Sequence, residues 1–145
     1  MTTAYPNQGN AINSGGLDLR IAAHGSSAVL TLHNGGRDGL KILSHVDASD
    51  RHYDWFTIVL EGEREARSLH FYDDRNESHR VIADLAPGQE IEHVIDVVAW
   101  AKRKPNGARP LAPGTYRMWA SYEVSDPGPV WNGKLVSPTV DITIP

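Results

Sequence analysis

Four side chains able to hold a metal fall within eight residues of this chain: His45, Asp47, Asp50 and His52. Imidazole nitrogen with carboxylate oxygen is a workable zinc donor set. The spacing nevertheless matches no compact ligand motif. A strand ending near residue 45 puts His45 and Asp47 on one face and leaves Asp50 and His52 beyond a turn. The segment reads first as an exposed acidic loop. A metal-binding protein or enzyme stays as an alternative, and no metal or cofactor is assigned. Asp73, Asp74, Asn76 and Glu77 supply the oxygen donors that calcium takes. They lack the Asp-x-Asp-x-Asp-Gly order, and Arg75 sits among them, so this stretch reads as a solvated hairpin tip. His70 and His79 flank that tip; an approach across a hairpin would make them a cross-strand pair, more often surface decoration than a ligand set.

Nucleophilic and acid–base chemistry leave no local trace. Serine, histidine and aspartate are all present, but nothing resembles Gly-x-Ser-x-Gly, and Ser26, Ser27 and Ser14 sit beside glycines as turn formers. Zero cysteines remove thiolate nucleophiles, thiolate zinc sites and disulfides together. Carboxylates paired for glycoside hydrolysis have no signature here either. No catalytic residue is assigned, and an enzyme is not expected. The string Lys102-Arg103-Lys104, with Arg109 nearby, reads as a solvated basic loop.

The aromatic residues carry the binding candidates. Trp119 is expected to point away from the core that Tyr116, Met118 and Tyr122 build. Trp131 lies in the following loop and is placed to fold back over it, while Tyr53 and Trp55 share another connection. Large rigid rings give contact area at little entropic cost, so Trp119, Trp131, Tyr53 and Trp55 form the candidate binding set. The competing reading has Trp119 and Trp131 covering one another, or the link around Trp100.

The elements that must position these groups repeat with period two. Leu17, Leu19 and Ile21 alternate with Asp18 and Arg20; Ala28, Leu30 and Leu32 alternate with Val29, Thr31 and His33. Leu40, Ile42 and Val46, with Leu43 facing the other way, open a third strand; Phe56, Ile58 and Leu60 form a fourth. Residues 67–72 and 79–85 flank the acidic turn, and Ile91, His93, Ile95 and Val97 line one side of the next strand. Tyr116, Met118, Ala120, Tyr122 and Val124 make a long strand, and Val140, Ile142 and Ile144 close the fold. Residues 96–104 are the single helical piece, with Asp96 as cap and Val97, Trp100 and Ala101 on one side. Seven to nine short strands with almost no helix predict an all-β, single antiparallel sandwich over residues 17–145, preceded by a flexible arm over residues 1–16. A barrel is the second architecture.

Composition narrows the partners. The chain has 145 residues, 40% apolar and 22% charged, with a net charge of −4. An acidic balance speaks against nucleic acid or anionic membrane as a partner. The opening residues lack the basic and apolar regions of an export signal, which makes the cytoplasm the expected compartment.

Leu111-Ala112-Pro113-Gly114-Thr115-Tyr116, heading an alternating strand, resembles the tyrosine corner of immunoglobulin-like sandwiches, with Pro113 and Gly114 shaping the turn before Tyr116. With Leu85-Ala86-Pro87-Gly88-Gln89-Glu90 upstream and a short helical link between, the order is similar to two kinds of bacterial immunoglobulin-like domain. One is the accessory domain of deuterolysin-type lysine-specific metallopeptidases. The other is the intracellular proteinase inhibitor family of bacilli. No His-Glu-x-x-His zinc motif occurs, so the resemblance is to the accessory part alone. It implies a non-catalytic binding module whose partner is a protein such as a peptidase. Aromatic platforms on sandwiches also stack on sugars, which makes carbohydrate binding the alternative.

Overall fold

The computed structural model describes residues 15–47, 52–70 and 80–145. Most of the N-terminal arm, Asp50, the acidic turn from Asp73 to Glu77 and His79 lie outside those residues. Among the described residues ten strands occur: β1 (Leu17–His24), β2 (Ser27–Asn34), β3 (Leu40–Val46), β4 (Phe56–Glu61), β5 (Ala66–His70), β6 (Arg80–Leu85), β7 (Glu90–Asp96), β8 (Gly114–Val124), β9 (Gly133–Val136) and β10 (Val140–Ile144). All pairings are antiparallel.

The strands form an all-β sandwich. One sheet runs β1-β2-β7. The larger runs β9-β8-β4-β5, with β10 pairing the first half of the long strand β8 and β9 its second half. The alternation predicted for each segment faces the shared interior. Leu17, Leu19, Leu30, Leu32 and Ile95 from one sheet join Ile58, Leu60, Met118, Tyr122 and Ile142 from the other in a single core. Two further strands, β3 and β6, pair with each other.

Three differences from the sequence reading have physical causes. Residues 67–72 and 79–85 do not make a hairpin: β5 pairs with β4, and β6 pairs with β3, so the chain changes sheets between them. The pairing register of β3 shifts between Leu43 and His45, and this irregularity lets Ile42, Leu43 and Ser44 all be buried. The strand β9 is only four residues long, too short for alternation to announce it.

The helical link forms where expected and stops earlier. In α1 (Val97–Ala101) the Asp96 carboxylate accepts from the Ala99 amide at 3.1 Å, and Val97, Trp100 and Ala101 are buried. A separate 3-10 turn (Lys104–Asn106) follows, ended by Gly107 at φ 90°. Pro105 lacks the amide that a continuing α-helix would need, so Lys102 and Lys104 lie beyond the helix rather than in its last turn.

Candidate functional site

Alternation along β8 sends Tyr116, Met118, Ala120, Tyr122 and Val124 inward and turns Trp119 onto the outer face of the larger sheet. The ladders fix its neighbours. Trp119 pairs with Val59 of β4, and Val59 pairs with Ser68 of β5. The adjacent row runs His70, Thr57, Ser121 and Val136 across β5, β4, β8 and β9. Trp119, Val59, Thr57, Ser121 and Val136 are all half-buried. Val59, Trp119 and Val136 are not among the apolar side chains of the core or those packed on it. The His70 Nδ1 and Thr57 Oγ1 atoms lie 3.4 Å apart.

Charge rims this centre at both ends. At one end Arg117 pairs with Asp141 in the ladder, and its guanidinium lies 3.7 Å from the Glu61 carboxylate. At the other, Lys134 pairs with Glu123. An outward sheet face normally alternates to polar residues, so a tryptophan flanked by two valines in its middle departs from the pattern burial alone would set. Trp119, Val59 and Val136, set among Ser68, Thr57 and Ser121 with charged pairs in the flanking rows, can supply aromatic and apolar contact area with polar groups around it.

The other three binding candidates fall elsewhere. Trp131 does not fold over Trp119. It is 8% exposed and stacks on the inward ring of Tyr122 at 5.6 Å, with its amide donating to the Lys41 carbonyl at 2.8 Å. A ring pinned to the inner side of β8 cannot cover a residue on the outer side. Tyr53 is 7% exposed, its ring 4.8 Å from that of His93 and edge-on to Phe56. Trp55 is half-buried against the core margin, and its carbonyl extends the β4–β8 ladder by accepting from Glu123. Of the four, Trp119 stands on the outer sheet face.

The corner before β8 has the expected geometry. The Tyr116 hydroxyl donates to the Ala112 carbonyl four residues upstream at 2.6 Å, and Gly114, at φ 139°, makes the bend after Pro113. A carboxylate not singled out in the sequence completes it. Glu65 accepts from the Ala112 amide (2.9 Å) and Arg109 (3.1 Å), and the Tyr116 hydroxyl, 3.1 Å away, shares its one proton between this carboxylate and the Ala112 carbonyl. The Ala112 amide leads in holding the Glu65 carboxyl below its usual range; burial opposes it, while Tyr116 and Arg109 add to it. Burial, then the neighbouring carboxylate, pushes the Tyr116 phenol up. Burial also raises the Tyr122 phenol, whose hydroxyl donates to the Leu43 carbonyl at 2.6 Å.

Histidines and serine meet inside the fold rather than in a loop. The Ser44 hydroxyl lies 2.9 Å from His45 Nδ1 and 3.3 Å from His93 Nε2, and His52 is edge-on to Trp100 at 5.8 Å. Asp47 is exposed at the end of β3. Among the described residues no three histidine or carboxylate side chains are grouped to hold a metal ion. Sequence reasoning passed over Arg67, Glu65 and Ser44. For Arg67 a signal existed: it alternates with Leu69 on the inward face of β5, a charged residue where apolar ones belong.

No protein-family model matches the chain, and no curated protein matches its sequence.

Proposed function

We propose that this chain is a non-catalytic binding module that contacts a protein partner through the outer face of its larger sheet. The observation that supports the reading is the in-register row Ser68, Val59 and Trp119, with Thr57, Ser121 and Val136 alongside and, among the described residues, the charged pairs Arg117–Asp141 and Lys134–Glu123 in the flanking rows. Trp119 is the anchor: a large rigid side chain near the middle of a sheet face loses water on contact with little entropic loss. The resemblance of the turn and corner sequences to peptidase-associated and inhibitor sandwiches makes a peptidase the partner class to test first.

The experiment is a titration of purified secreted and cytosolic peptidases against the wild-type chain and Trp119→Ser, read by calorimetry. The expected result is a 1:1 complex weakened at least about thirtyfold by the substitution, the scale of a hot-spot residue. A complex of unchanged affinity overturns the assignment of the surface. Binding only to glycans on an array, competed by free sugar, overturns the protein partner in favour of a carbohydrate.

A further inference from the structure

The connection between α1 and β8, residues 102–113, carries a second surface. No aspartate or glutamate occurs between Asp96 and Glu123, whereas Lys102, Arg103, Lys104 and Arg109 are cationic, in a chain of net charge −4. The fold fixes this local excess in place. From β5 the Arg67 guanidinium, whose residue is 8% exposed, donates to the carbonyls of Ala101 (3.2 Å), Asn106 (2.9 Å), Arg109 (3.1 Å) and Pro110 (3.4 Å). Asn106 ties the same connection to the edge of β5: its side-chain oxygen accepts from the His70 amide at 2.8 Å, and its Nδ2 donates to the His70 carbonyl at 3.0 Å. Four carbonyls gathered on one guanidinium face inward, and the side chains of Lys102, Lys104 and Arg109 are exposed.

Beside this strap lies an open cleft of about 570 Å³ lined by Arg64, Glu65, Arg109, Pro110, Leu111 and Pro113. The cleft is open to solvent along its length, a shape that suits an extended chain rather than an enclosed small molecule. The Glu65 carboxylate is already engaged by Ala112, Tyr116 and Arg109. A guanidinium has five N–H donors, so Arg109 keeps donors beyond its bond to Glu65. The lining therefore sets two guanidinium groups beside a floor of proline and leucine.

We propose that this cleft and the cationic strap beside it dock an acidic, extended segment of a partner protein. Carboxylates of the segment pair with Arg64 and Arg109, whose planar forks match them, and an interposed apolar residue lies on Pro110, Leu111 and Pro113. Lys102 and Lys104 attract the segment at longer range. Because Arg67 and Asn106 hold the strap rigid, little ordering is lost on docking. The surface shares no residue with the Trp119 face, so each reading fails on its own evidence.

The test uses the full chain and a fluorescein-labelled peptide of alternating glutamate and leucine with a central proline, followed by anisotropy. Saturable binding that weakens with added salt is expected, with Arg64→Glu lowering affinity at least about tenfold and Lys104→Glu lowering it less, chiefly through slower association. Thermal melting of both variants stays at the wild-type value, and Lys41→Glu, on β3, leaves binding unchanged. A glutamine version of the peptide that binds equally well overturns the proposal. So does wild-type affinity in Arg64→Glu, or displacement of the peptide by inorganic phosphate or a single-stranded oligonucleotide at equal concentration.

Discussion

Replacing Arg67 with methionine removes the guanidinium that pins the strap to the sheet and that also lies 3.7 Å from the Glu65 carboxylate. Methionine keeps much of the volume and the inward direction of the side chain but removes every donor. Four carbonyls, at Ala101, Asn106, Arg109 and Pro110, then lose a charged partner within 3.4 Å. Hydrogen bonds to a charged group contribute about 1.5–3 kcal/mol each, which taken singly would suggest a very large loss. Two effects shrink it: the bonds share one guanidinium and are not independent, and the variant no longer buries a cation, a relief of several kcal/mol. The expected net destabilisation is about 3–5 kcal/mol, a large part of the 5–15 kcal/mol by which domains are stable. In urea this corresponds to a midpoint lower by about 2 M. Native-state hydrogen exchange should show the amides of residues 102–112 opening well before the core ladders. A midpoint within about 0.5 M of wild type, with strap amides as protected as before, would refute the role given to Arg67.

The remaining expectations concern the corner and the core. Glu65 titrates below its usual value of 4.5 in the folded chain, so its contribution to stability is complete above that range and is lost as pH falls through the lowered value. Urea midpoints of wild type and Glu65→Gln should therefore differ at pH 7 and converge as pH falls below the usual carboxylate range, and a pH-independent gap would contradict the assignment. Tyr122→Phe leaves the Leu43 carbonyl without its 2.6 Å donor in a fully buried setting and should cost about 1–3 kcal/mol, seen as a melting point lower by several degrees. Trp131→Ala removes a buried ring stacked on Tyr122 and should cost about 3–5 kcal/mol in chemical unfolding, whereas Trp119→Ala should cost markedly less; equal losses would place both rings in the core.

Alternation made most strands readable because water lies on one face and hydrocarbon on the other, a two-residue signal that local sequence carries. The cap at Asp96 and the bond from Tyr116 to Ala112 were legible for a similar reason: both partners lie within four residues of each other. Pairing partners were not legible in that way. Whether β5 pairs with β4 or with β6 depends on which sheet closes over which, and residues 67–85 read alone suggest a hairpin that does not form. Trp131 illustrates the same limit. Its loop gives no period, and only the fold shows that the ring turns in to Tyr122 rather than out to Trp119. Trp119 was legible because its face follows directly from Tyr116, Met118 and Tyr122 on the same strand.

The most direct measurement is hydroxyl-radical footprinting of the chain with and without a bound protein partner, read residue by residue in mass spectra. The binding face proposed for the larger sheet predicts that oxidation of Trp119 and Val59 drops on complex formation, while Ile82 and Val94, the large apolar side chains most open to water on other strands, react as before. Protection of Ile82 or Val94 with Trp119 still reactive would contradict it.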